Sequence, residues 1–203
     1  QHGGEFKNGE VADLTGEEQA LRSARLTDGE EIEADHFVLC GGAWSPELAG
    51  RLGLRLPMQG GKGYSFTLRS PAQLPQLCSL LKEGRVAVTP MGDSLRVAGT
   101  MEICGNDLSV DPLRLEGIVE SFCRFFPAFS PEHFEGLEPW AGLRPCSPDG
   151  MPYIGRIPKF RNATMASGHS MLGLSLGPVT GKLIADLVAG GEEVDQRLHP
   201  ARF

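Results

Sequence analysis

The 203 residues carry 40% hydrophobic and 22% charged side chains and a net charge of −7, the balance of a globular chain long enough to bury a core. That acidity, with no run of lysine or arginine, argues against a surface for nucleic acid. No stretch approaches the roughly 18 apolar residues of a membrane span.

The five cysteines, Cys40, Cys78, Cys104, Cys123 and Cys146, are odd in number and lack CxxC spacing. They suggest neither a disulfide framework nor a zinc site, and fit a reducing cytoplasm. The 27 glycines form no repeat and sit at the ends of apolar runs, as in folds whose turns approach a ligand closely.

In chain order, Asp28-Gly29 between ALRSARLT and EEIEAD predicts a two-residue hairpin turn. HFVLC reads as a short buried strand running into Gly41-Gly42. Ser45-Pro46-Glu47 then reads as N-cap, first-turn proline and dipole-matched acid of a short helix. KGYSFTL, RVAVTP and LRVAGTMEI predict an antiparallel block with a turn at MGDS. Asp111-Pro112 opens a helix whose Leu115, Ile118, Val119, Phe122 and Phe126 fall on one face, predicted to pack on that sheet. After Glu138 the pattern predicts short strands at MPYIG and ATMAS, then a helix over GPVTGKLIADLVAGG.

No GxSxG elbow, HExxH pair or spaced ligand cluster supports hydrolytic or metal chemistry. A GxGxxG phosphate cradle is missing too, and GGKGYS leads into a strand rather than a helix. In SGHSMLGLSLGPVTG, glycines precede a helix after a strand, so free N–H groups and the helix dipole converge. Such a point steadies developing negative charge, as at the N1 and C2 oxygen of a reduced isoalloxazine. A plain strand-to-helix connection explains the same residues. In GLRPCSPDGMPYIG, Arg144 stands in a stiff frame, either as a surface residue or as a fork for a carboxylate.

Together VLCGGAWSPEL, KGYSFTL, WAGLRPCSPDGMPYIG and SGHSMLGLSLGPVTGKLIADL resemble, in the right order and over nearly the whole chain, the FAD-dependent D-amino-acid oxidase superfamily. The closest resemblance is to its bacterial D-amino-acid dehydrogenases. It implies an α/β and α+β fold: an incomplete Rossmann-type FAD-binding domain over 1–56 and 140–203, the second part ending in a helix, and an antiparallel-sheet substrate domain with a helix over 57–139. In that family a GxGxxG unit precedes the matched region. The chain is therefore expected to be the C-terminal part of a longer enzyme and to hold little or no FAD alone.

The resemblance also implies roles. Arg144 matches the arginine that grips the substrate carboxylate. Tyr64 is the implied catalytic residue facing the pocket, with Met101 and Glu102 as pocket residues; strand packing and a solvated acid compete with those roles. Val11 stands where a backbone meets the adenine. Gly41, Gly42, Ala43 and Trp44 match the AGAW turn beside the cofactor, with Gly41 in place of alanine. Gly168, His169, Met171, Leu172, Gly173 and Leu174 match the flavin turn, His169 through its backbone or else as a histidine satisfied in the turn. Gly142 stands where sarcosine oxidases tether flavin to cysteine, which implies non-covalent FAD. Val97 aligns with their oxygen-activating lysine.

The implied reaction is oxidative deamination of a D-amino acid to a 2-oxo acid and ammonia by hydride transfer to flavin N5. Electrons pass to a quinone or another non-oxygen acceptor, in the cytoplasm or peripherally at the inner membrane. The alternatives are a glycine or sarcosine oxidase, a D-hydroxyproline dehydrogenase, or a non-catalytic fragment.

Overall fold

A hairpin forms at Asp28-Gly29 in the computed structural model, which describes residues 3–203, but its loop is the three residues Thr27-Asp28-Gly29 rather than two, since the Leu26 N–H donates to the Glu30 carbonyl at 2.8 Å. Gly29 takes φ +90°, a conformation that a side chain resists, and its N–H reaches the Leu26 carbonyl at 3.0 Å. Strands β1 (Val11–Glu17), β2 (Ala20–Leu26) and β3 (Glu31–Glu33) form a meander, in that order.

The chain divides into two compact units, one of Gln1–Met58 with Pro145–Phe203 and the other of Gln59–Arg144. Besides the meander, the first unit holds β4 (Phe37–Leu39), which pairs in parallel with β11 (Ala163–Ser167). Antiparallel to β11 runs β10 (Tyr153–Arg156). Tyr153, Ile157, Phe160 and Met165 bury against Phe37, Leu39, Ala49 and Leu52. Each Phe, Leu, Ile or Met among them is worth about 1.5–3 kcal/mol when removed from water.

Two helix starts differ from expectation. Helix α1 (Ser45–Arg51) has Trp44 as its N-cap; Ser45 is instead the first helical residue, fully buried, with its hydroxyl donating to Ser167 Oγ at 2.8 Å. A cross-element bond has taken the oxygen that would have capped the helix. Helix α3 (Gly173–Val188) begins four residues before the expected Gly177, so Pro178 lies inside it. Apolar burial of Ile184 and Leu187 beside Ile154 fixes this helix despite the proline.

In the second unit β5 (Gln59–Arg69), β6 (Ser79–Leu81), β7 (Val86–Met91), β8 (Ser94–Ile103) and β9 (Trp140–Cys146) form a sheet of order β6-β7-β8-β5-β9, the last two residues of β9 belonging to the first unit. Strand β9 was not expected, because Gly142, Arg144 and Pro145 break the apolar pattern that marks a strand.

Helix α2 (Pro112–Phe125) lies on the predicted face, burying Ile118, Val119 and Phe122 against Tyr64, Phe66, Val88 and Val97. Its Asp111 cap accepts the Leu113 N–H at 3.0 Å. Phe122 stacks on Phe126 at 4.8 Å and meets Phe129 and Phe134 edge-on.

Candidate functional site

In the first unit, two glycine turns are brought together at the C-terminal ends of the parallel neighbours β4 and β11, the edge where α/β sheets bind ligands. Ser167 stitches them: it accepts from Ser45 and donates to the Gly42 carbonyl at 3.1 Å. Gly42 has φ +54°, whereas Gly41 has an ordinary φ of −74°. An alanine Cβ at Gly41 would come within 2.9 Å of the end of the Leu48 side chain and 3.4 Å of Ser45 N and Oγ, so with an ordinary φ the glycine there is not demanded by the backbone. Trp44 is 45% exposed beside this turn.

The second turn is tighter. Gly168 has φ +81°, and a Cβ there would lie 2.9 Å from the Tyr153 ring. Ser170 also adopts a left-handed φ of +50°, and its N–H donates to the Pro145 carbonyl at 3.0 Å. Leu172 is the N-cap of α3 and its side chain makes no capping hydrogen bond, so the cap residue leaves the first-turn N–H groups to other partners. Met171, Leu172 and Leu174 expose their side chains, and Gly173 opens the helix. The His169 ring lies 3.0 Å from Thr180 Oγ1, and burial lowers its pKa and keeps it neutral. Glycines without side chains and an uncapped helix start fit the electron-rich edge of FAD. Val11 lies in the meander sheet, half-buried opposite Leu26.

In the second unit, Arg144 projects from β9 and donates through Nη1 to the carbonyls of Gly61 at 3.3 Å and Thr100 at 3.4 Å. Gly142 is covered by the Trp140 indole: an added Cβ would fall 2.6 Å from Cζ3, so a side chain there requires Trp140 to move.

Strand alternation separates Arg144 from Tyr64. A Cβ at Gly63 would point at the Arg144 guanidinium, so the flanking Lys62 and Tyr64 face the other way, toward α2. Tyr64 is 1% exposed and its hydroxyl donates to Glu102 Oε2 at 2.8 Å. Burial, then the Glu102 bond, raises its pKa and keeps it neutral. Tyr64 is thus a core residue on the opposite sheet face from Arg144, which corrects its expected catalytic place. Glu102 goes with it, 3.9 Å from Arg114 and 4.0 Å from Lys62, and is not a pocket acid beside Arg144. Met101, 44% exposed, stands with Thr100 opposite the single residue Gly63. Val97 is fully buried in the α2 core, so its identity carries no information about oxygen chemistry.

Lys62 was not singled out in the sequence, although one lysine inside a run of small and apolar residues was the available signal. Its side chain is 2% exposed, and its ammonium donates to Asp107 Oδ2 at 3.0 Å and the Ser109 carbonyl at 2.8 Å. Burial pulls its pKa down, but the hydrogen bond to Asp107 leads a set that outweighs it, so the pKa rises and the charge stays. Asp107, held by the Ser109 hydroxyl and N–H and by Lys62, falls to about 2.

Among the described residues, no group of three His, Cys, Asp or Glu side chains could hold a metal, and no helix is long and apolar enough to cross a membrane.

Comparison with known proteins accords with these features. The family model described as DAO, FAD dependent oxidoreductase, matches residues 1–187. A D-amino acid dehydrogenase of Paramagnetospirillum magneticum is 38% identical over 93% of this chain and 44% of its own length. One from Xanthobacter autotrophicus is 36% identical over 89% of this chain and 42% of its own. The chain thus spans less than half the length of these relatives. Among solved structures, glycine oxidase from Geobacillus kaustophilus superposes with a TM-score of 0.80 at 28% identity, over 98% of this chain and 53% of that one. Iminodiacetate oxidase from Chelativorans gives 0.79 at 26%, over 96% and 53%. With a mixed α/β architecture and the family match over most of its length, the chain belongs to the DAO family of FAD-dependent oxidoreductases.

Proposed function

We propose that this chain forms part of a D-amino-acid dehydrogenase in which Arg144 captures the substrate carboxylate. The seated Arg144 guanidinium carries the reading: its planar fork can bind a carboxylate through parallel N–H donors and fix the Cα–H direction. The two relatives named D-amino acid dehydrogenase support the substrate class.

FAD, when bound, accepts the electron pair and hydrogen from the substrate Cα. The residues that would hold it are those of the Gly41–Trp44 and Gly168–Leu174 turns, acting through backbone groups. Before oxidation the substrate ammonium loses a proton, and the imine product is hydrolysed by water to a 2-oxo acid and ammonia. No side-chain acid or base beside Arg144 is required. The acceptor of the electrons is a quinone or other carrier, and the chain alone retains little FAD.

The test is Arg144→Lys in the FAD-loaded full-length enzyme. Lysine loses the fork, so KM for a D-amino acid should rise at least about 10-fold, the loss of one charge-assisted hydrogen bond, with flavin absorbance unchanged. An unaltered KM removes the assignment.

The likeness to glycine oxidase favours a second reading, an oxygen-using amine oxidase. Dye reduction without hydrogen peroxide selects the dehydrogenase; oxygen uptake matched by peroxide selects the oxidase.

A further inference from the structure

We infer that Gly63 and the backbone bulge at Thr100 are positioning residues that hold the Arg144 guanidinium in register for a carboxylate, an inference that rests on the function proposed above. Strands β5 and β8 pair regularly from Arg69–Ser94 to Tyr64–Gly99, then slip: Lys62 faces Glu102, so Thr100 and Met101 stand opposite Gly63 alone. Thr100 has φ +70°, a left-handed conformation that a β-branched residue resists. What the strain accompanies is a carbonyl turned out of the ladder: Thr100 O accepts from Arg144 Nη1 at 3.4 Å, beside Gly61 O at 3.3 Å.

Gly63 provides the floor. A Cβ there would lie 2.6 Å from Nη2 and 2.8 Å from Cζ of Arg144, so both the terminal nitrogen and the central carbon lie close over the glycine backbone. Gly63 has no left-handed φ, so conformational freedom does not explain a glycine here; the close approach of the arginine does. The floor fixes the height of the fork and the two carbonyls fix its rotation. A guanidinium seated in this way loses less freedom when it binds.

The test uses the FAD-loaded full-length enzyme and isovalerate, a carboxylate without an amine that cannot be deaminated, with binding read by calorimetry and KM by dye reduction. Gly63→Ala, which lifts the fork, and deletion of Thr100, which restores a regular ladder, should each weaken isovalerate binding and raise KM about 10-fold or more. Both should keep the wild-type flavin content and change kcat far less than KM. Thr100→Gly keeps the bulge and its carbonyl and should bind as wild type. Neither loss should add fully to that of Arg144→Lys, since all three act on one group.

If Arg144→Lys weakens binding while Gly63→Ala and the Thr100 deletion do not, the positioning role is overturned and the function stands. If Arg144→Lys binds isovalerate as wild type does, the function and this inference fall together. Should Gly63→Ala fail to fold, the Thr100 deletion set beside Thr100→Gly decides; equal binding by those two overturns the bulge's role.

Discussion

Lys62 places an ammonium where almost no solvent reaches it, and Asp107 and the Ser109 carbonyl are the groups that make this tolerable. Both partners lie between β8 and α2, so the lysine ties that connection to the sheet. Lys62→Met keeps the length of the side chain and removes the charge. Its thermal midpoint should fall, and Asp107→Asn in the same chain should cost less than the sum of the single losses, a coupling that a double-mutant cycle measures. Arg144 is seated differently, since its Nη1 donates to two main-chain carbonyls, those of Gly61 and Thr100.

At the scale of elements, α2 carries the second unit through one aromatic cluster. Phe122→Ala should destabilise the chain by about 3–5 kcal/mol, because the fully buried ring meets three other phenylalanines. Asp111→Ala, which removes only the cap, should cost about 1 kcal/mol; urea midpoints distinguish the two. The face of α2 was legible because five apolar residues at helical spacing leave no other way to bury them. Strand β9 and the start of α3 were obscured by Gly142, Pro145, Gly173, Gly177 and Pro178, whose local preferences long-range packing overrides. The misplacement of Tyr64 was avoidable: it stands in phase with Phe66 and Leu68, which marks it as a core residue. Arg144 could be chosen from its motif, but its seat could not. Thr100 and Gly61 lie 44 and 83 positions away along the chain, and only strand pairing brings them near.

For the molecule as a whole, acid is the sensitive direction. Asp149, in the SPDG turn, receives two hydrogen bonds of 2.9 Å from Arg202, whose guanidinium carbon lies 3.9 Å from the Tyr153 ring centroid. The Arg202 bonds hold Asp149 at about 2, and the Ser109 and Lys62 bonds hold Asp107 at about 2. A depressed carboxylate pKa stabilises the folded chain above the unfolded value near 4, and that contribution disappears as pH falls toward 2. Urea midpoints should therefore decline over this window, and Asp149→Asn should flatten part of the decline while lowering the plateau. A second whole-chain property follows from the order of assembly. Strand β4 is translated before Gln59–Arg144 and its parallel neighbour β11 after it; the bonded pair Ser45 and Ser167 is separated by 122 positions. On the ribosome the intervening unit is contiguous and can close its sheet first, whereas β4 waits for β11. Nascent chains stalled far enough along for Cys146 to clear the exit tunnel, with β11 still inside it, should yield a protease-resistant core from the intervening stretch.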